Sequence, residues 1–104
     1  MFKEIRAKFD VVGLLPNSKR TYHYHFVIER KKSGAFKYGD HSCHILTIYE
    51  DNKQVREDYF DTRYEHISTY KPSWVKTWKN YIKRNWIDVQ SVDLIEYSEE
   101  EKEN

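Results

Sequence analysis

Residues 72–86, Pro-Ser-Trp-Val-Lys-Thr-Trp-Lys-Asn-Tyr-Ile-Lys-Arg-Asn-Trp, constrain the fold more than any other stretch of the chain. Trp74, Val75, Trp78, Tyr81, Ile82 and Trp86 fall at i, i+1, i+4, i+7, i+8 and i+12, which is one face of an α-helix. All three tryptophans lie on that face. Lys76, Lys79, Lys83 and Arg84 point elsewhere, and no acidic residue lies between Lys71 and Trp86. The spacing predicts a helix that docks through tryptophan and shows a basic surface outward. Pro72 suits its first turn, where a missing N–H costs nothing.

The rest of the chain reads as strands. Residues 2–12 alternate, with Ile5, Ala7, Phe9 and Val11 on one side and Lys8 and Asp10 on the other. A loop rich in Gly, Pro and Asn follows at 13–18. Residues 21–30 form a second strand, with Tyr22, Tyr24, Phe26 and Ile28 on one face and His23, His25, Val27 and Glu29 on the other. Residues 31–40 hold two glycines and three lysines, the composition of a mobile basic loop. A third strand at 43–50 turns through Asp51-Asn52-Lys53 into a fourth at 54–61, and a fifth follows the helix at 89–97. The expected fold is α+β: a single two-layer domain over residues 1–97, a mainly antiparallel sheet of about five strands with one amphipathic helix packed on it, in the order ββββαβ. Residues 98–104 read as a disordered acidic tail.

Size and composition narrow the function classes. At 104 residues there is room for one core and none for a catalytic domain beside a separate cofactor domain. Only 38% of residues are hydrophobic but 16% are aromatic, so the core is built from few, large side chains. No apolar run approaches the ~20 residues of a membrane span, and Met-Phe-Lys-Glu-Ile-Arg is charged from its third residue, unlike a signal peptide. The lone Cys43 cannot form an internal disulfide, which fits a reducing, cytoplasmic setting. Net charge is +1, but its distribution is uneven. Residues 1–40 carry +5, 41–70 carry −3, 71–86 carry +5 and 87–104 carry −6. The basic blocks are a candidate footprint for a polyanion.

One consequence of the pattern concerns the second face of the sheet. The third strand is apolar on both sides, with Cys43, Ile45 and Tyr49 facing one way and Leu46 and Ile48 the other. A single helix covers one face only. The other face is left to the loop at 31–40, to curvature, to a second copy in a homodimer, or to a ligand. An aromatic face left open is a stacking platform for unpaired bases.

Chemistry-bearing motifs are sparse. His23-x-His25 sets two imidazoles on one strand face, and His41-x-Cys43-His44 adds further donors. With Glu29 and Gly34, the His23-x-His25 segment resembles the first metal motif of cupin barrels over about a dozen residues, which would imply a metal held by those side chains. The spacing to Gly34 departs from that motif, and the second cupin motif is absent. No metal, cofactor or catalytic residue is therefore expected, and the chain is read as non-enzymatic. His66-Ile67-Ser68 matches half of a two-histidine phosphoesterase signature and has no second copy. Cys43 is expected to be buried and inert, because its strand neighbour His44 points to the opposite face.

Two functional expectations remain. In the first the chain is a nucleic-acid-associated binding module, with Lys31, Lys32, Lys37, Lys76, Lys79 and Lys83 on phosphates and tyrosines stacking on bases. The order of four strands then a helix resembles the single-strand-binding folds of the transcriptional-coactivator and Whirly families, although no motif accompanies it. In the second it is a protein-binding regulator or inhibitor, of the kind encoded by phages and mobile elements. Asp61, Arg63, Tyr64 and Glu65 would then form a recognition edge, and the acidic stretches would occupy a basic cleft.

Overall fold

The computed structural model of the chain describes residues 2–33, 41–60 and 67–102. Its elements are β1 (Phe2–Leu14), β2 (Thr21–Ser33), β3 (His41–Glu50), β4 (Lys53–Phe60), α1 (Lys71–Asn85) and β5 (Val89–Lys102). The five strands form one antiparallel sheet in the order β4-β3-β2-β1-β5. This is the ββββαβ, two-layer α+β architecture expected from the pattern. β4 and β5 occupy opposite edges, so the chain between them crosses the sheet, and α1 lies on one of its faces.

Local chemistry accounts for the β1–β2 and β3–β4 turns. Asp51 and Asn52 both take positive φ (49° and 66°), the backbone of a two-residue turn that matches strand twist, and Glu50 pairs with Lys53 across it. In the β1–β2 loop Asn17 adopts φ 57°, and Leu15 N–H donates to the Arg20 carbonyl at 2.9 Å. Gly13 is required by a close approach. It faces Tyr22 on β2, whose ring lies where a Cβ would be, and the Tyr22 hydroxyl donates to the Ile87 carbonyl at 2.6 Å. That bond ties the first hairpin to the helix–β5 connection.

The core sits between α1 and one face of the sheet. Trp74, Trp78 and Ile82 of α1 are buried with Ile5, Ala7, Phe9, Val11, Phe26, Ile28, Leu46, Ile48 and Val92. Each fully buried tryptophan removes about 150–250 Å² from water, a gross gain of roughly 4–6 kcal/mol before entropy is subtracted. Trp86, just past the helix end, packs edge-on to Phe26 at 4.7 Å, with the Arg56 guanidinium 5.7 Å from its ring. Lys83 and Arg84 in the last turn suit the negative end of the helix dipole.

Two expectations change. Residues 98–102, read as part of a disordered tail, continue β5 and pair with β1 from Phe2 to Arg6. Lys3–Glu99 (2.9 Å), Arg6–Glu96 (3.3 Å) and Lys102–Glu4 (3.9 Å) alternate sign across this ladder. The acidic run thus has a basic strand to lie against, which composition by itself does not reveal. A bulge at Ile95, where Lys8 pairs with Glu96 but Phe9 with Leu94, shifts the strand's parity. It lets both Leu94 and Tyr97 pack toward the helix and leaves Ile95 47% exposed. The lysine-rich stretch at 31–40 also begins as strand, since β2 runs to Ser33; residues 34–40 lie outside the described residues.

Gly13→Ala tests the close approach. A Cβ there would come within 2.2 Å of Tyr22 Cζ, so ring and strand must separate. We expect a loss of about 1–3 kcal/mol in chemical denaturation, as for overpacked sites; an unchanged midpoint would mean that the Tyr22 ring does not cover β1.

Candidate functional site

The outer face of α1 is the first candidate. Lys76 and Lys83 are exposed and Lys79 half-buried, and the three are spaced i, i+3, i+7 on the side away from Trp74 and Trp78. Among the described residues none of the three enters an ion pair. Several sheet cations behave differently: Lys3, Arg6, Lys31, Arg56 and Lys102 each lie beside a carboxylate, while Lys8 and Lys53 stand apart from each other without one among the described residues. Of the remaining predicted lysines, Lys31 and Lys32 do not join this stripe. Lys31 pairs with Glu29 at 3.6 Å on the face turned from the helix, while Lys32 stands opposite Ser42 at the far end of β2. Lys37, and the proposed recognition edge of Asp61, Arg63, Tyr64 and Glu65, lie outside the described residues.

The sheet face without a helix is the second candidate, and its chemistry differs from the expected aromatic platform. Tyr22, Tyr24 and Tyr97 pack on the helix side. The open side carries Arg6, Lys8, Asp10, His23, His25, Glu29 and Tyr49. At its centre Val27 is only 2% exposed and Thr47 5%. Arg6, Lys8, His25, Tyr49 and Asn52 rim a depression of about 250 Å³ above Val27. The apolar centre is thus screened by long polar side chains of its neighbours.

Within this face three metal-ligand side chains converge. The β1–β2 register sets Asp10 directly opposite His25, one diagonal step from His23. Asp10 Oδ1 meets His23 Nε2 and lies 3.2 Å from His25 Nε2. The imidazole centroids are 5.4 Å apart with planes at 79°. A depression of about 170 Å³ lined by His23, His25, Tyr49, Asp51 and Asn52 adjoins them. The sequence shows the histidine pair and puts Asp10 on an outward face. Asp10 emerges as the third member only when the strands are registered across the six-residue loop 15–20, a count the hairpin pairing Leu14 with Thr21 makes possible.

His44 and Cys43 take the opposite faces expected of strand neighbours. His44 is buried beneath the helix, its ring 5.1 Å from that of Trp78 and 6.3 Å from that of Trp74. Burial, reinforced by the Arg30 charge, lowers its pKa to about 4, so it is neutral at pH 7. Burial raises the Cys43 thiol, with Lys31 pulling weakly the other way, as for an inert cysteine. The side chain of His41, like residue His66, lies outside what is described.

Compared with models of protein families, with curated proteins and with solved structures, the chain gives no significant match in any of the three. No helix among the described residues is long and apolar enough to cross a membrane.

His44 generates a pH prediction. Its folded pKa of about 4 lies below the ordinary 6.5, so between those values the unfolded chain binds more protons. Its contribution to stability is complete above pH 6.5 and is lost as pH falls toward 4, on the order of 3 kcal/mol in total. Denaturant titrations from pH 7 to 5 should show a steeper loss for the wild type than for His44→Leu. Equal slopes would contradict the buried, neutral imidazole.

Proposed function

We propose that the chain is a small non-catalytic binding module that engages nucleic acid through the outer face of α1. The observation that carries this is the alignment of unpaired cations on one element. Lys76, Lys79 and Lys83 stand in one stripe with no carboxylate partner among the described residues, on a helix whose sequence holds no acidic residue. Paired cations gain nothing by meeting a phosphate, because their carboxylates must be displaced or left behind. Unpaired ones release counterions from the polyanion on contact, and that release drives binding. A rigid helix spaces these charges along a line, which suits backbone tracking more than base readout.

A protein partner is the second reading, favoured by the edge of β5. Among the described residues β5 pairs with β1 alone, so its other edge offers backbone groups without a strand partner there, beside Glu96, Glu100 and Glu101 and the exposed Ile95. A regulator or inhibitor would add this acidic strand to a basic partner. Homodimerisation through the open sheet face is disfavoured by the charges it would have to desolvate, among them Arg6, Lys8, Asp10 and Glu29.

Fluorescence anisotropy with single-stranded DNA, duplex DNA and RNA tests the first reading at ~50 mM and ~200 mM salt. We expect modest, salt-sensitive binding whose log–log slope falls by about 2–3 in the triple variant Lys76→Glu, Lys79→Glu, Lys83→Glu, since each lost phosphate contact removes roughly 0.9. The variant keeps Trp74, Trp78 and Ile82 and should unfold as the wild type does. No binding by the wild type at ~50 mM salt would sink the nucleic-acid reading and leave the β5 edge as the surface to pursue.

A further inference from the structure

We propose that Asp10, His23 and His25 form a binding site for a divalent first-row transition-metal cation, with zinc as the ion whose chemistry fits best. The site faces away from α1, so it stands or falls independently of the basic helix stripe.

The donor set carries the argument. Two imidazole nitrogens and one carboxylate oxygen lie within 4.8 Å of one another. A tetrahedral zinc ion holds such donors at about 2.0–2.2 Å, which separates neighbouring donors by about 3.3 Å. The Asp10 Oδ1 to His25 Nε2 distance is 3.2 Å, whereas His23 Nε2 sits closer to Asp10 Oδ1 than two ligands of one ion can, so the exposed His23 ring must swing outward to ligate. Both histidines turn Nε2, rather than Nδ1, toward the same carboxylate oxygen, so the two ring nitrogens that would become ligands on losing their protons already sit on one side of Asp10. Imidazole and carboxylate together suit zinc and its neighbours, whereas magnesium and calcium prefer all-oxygen shells.

The scaffold supports that assignment. All three residues lie on two paired strands in the interior of the sheet, on elements stiffer than loops, so little ordering is needed when an ion arrives. Asp10 and His25 are partly buried, with side chains 29% and 31% exposed, which reduces competition from bulk water. His23 is the outer ligand at 59%, so the ion has a path in. The adjoining depression of about 170 Å³ leaves space for water, or for a donor from a binding partner, at the remaining coordination positions. Three protein ligands with open positions distinguish this arrangement from a closed structural zinc site.

The test uses the full chain, stripped with a chelator, dialysed, and titrated with Zn²⁺ alone by calorimetry, with Co²⁺ as a spectroscopic probe. We expect about one equivalent per chain in the micromolar range or tighter, and visible Co²⁺ absorption of a low-coordinate site. Asp10→Asn and His25→Ala should each weaken zinc binding at least tenfold while keeping the metal-free unfolding midpoint. Should a variant fail to fold, ring ¹⁵N resonances of the wild type decide: zinc should shift those of His23 and His25 and leave His44, on the other side of the sheet, in place. Absence of binding, binding undiminished in both variants, or unchanged His23 and His25 resonances would overturn the proposal and leave Asp10 as a hydrogen-bond acceptor for two imidazoles.

Discussion

The structure depends on the seating of Trp74, Trp78 and Ile82 against the strands β1, β2 and β3. The sheet by itself exposes Phe9, Phe26, Ile28, Leu46 and Ile48 on one face, and the helix by itself exposes a tryptophan stripe. Neither surface is tolerable in water, and each is the natural cover for the other. A 15-residue helix is near the limit of what persists alone in water, so its order comes from this contact more than from its own propensity. The crossing connection follows from it: β4 and β5 sit at opposite edges, and α1 spans between them where the aromatic core is thickest.

That single docking also sorts the surface. Because one side of α1 is committed to tryptophan, its lysines are held together on the other, a basic stripe with nothing acidic in the same element. Because α1 covers only one sheet face, the polar outward side chains of β1 and β2 keep contact with water around the screened Val27, and there Asp10, His23 and His25 come together. Acidic residues gather on β5, at an edge, where they neutralise β1 and discourage uncontrolled strand addition. Three chemically different surfaces are thus displayed by one small core.

Most of the fold was legible in the sequence because it is written in periodicities. Tryptophan spacing announced the helix to within one residue, and the alternation of β1 and β2 announced which side would be buried. What stayed hidden depends on pairing between distant segments. The acidic run 98–102 looks disordered until the basic residues of β1 are placed beside it, and the Ile95 bulge cannot be seen in a strand's own sequence. Similarly, the tyrosine content suggested a stacking face, yet Tyr22, Tyr24 and Tyr97 were drawn to the helix side by the core. Of the five described lysines proposed for phosphates, the three on α1 share a surface and Lys31 and Lys32 do not join it, since helical spacing is local while the placement of Lys31 and Lys32 depends on sheet register. Asp10 was missed as a companion of His23 and His25 for the same reason.

Native-state amide hydrogen exchange tests the docking of α1 on the sheet most directly. If the tryptophan face and the sheet form one cooperative core, the slowest amides of residues 74–82 and those of β1, β2 and β3 should exchange with the same free energy, equal to that of global unfolding. Helix amides that exchange through a much smaller opening, while the sheet stays protected, would show that the sheet does not need the helix and would contradict the account.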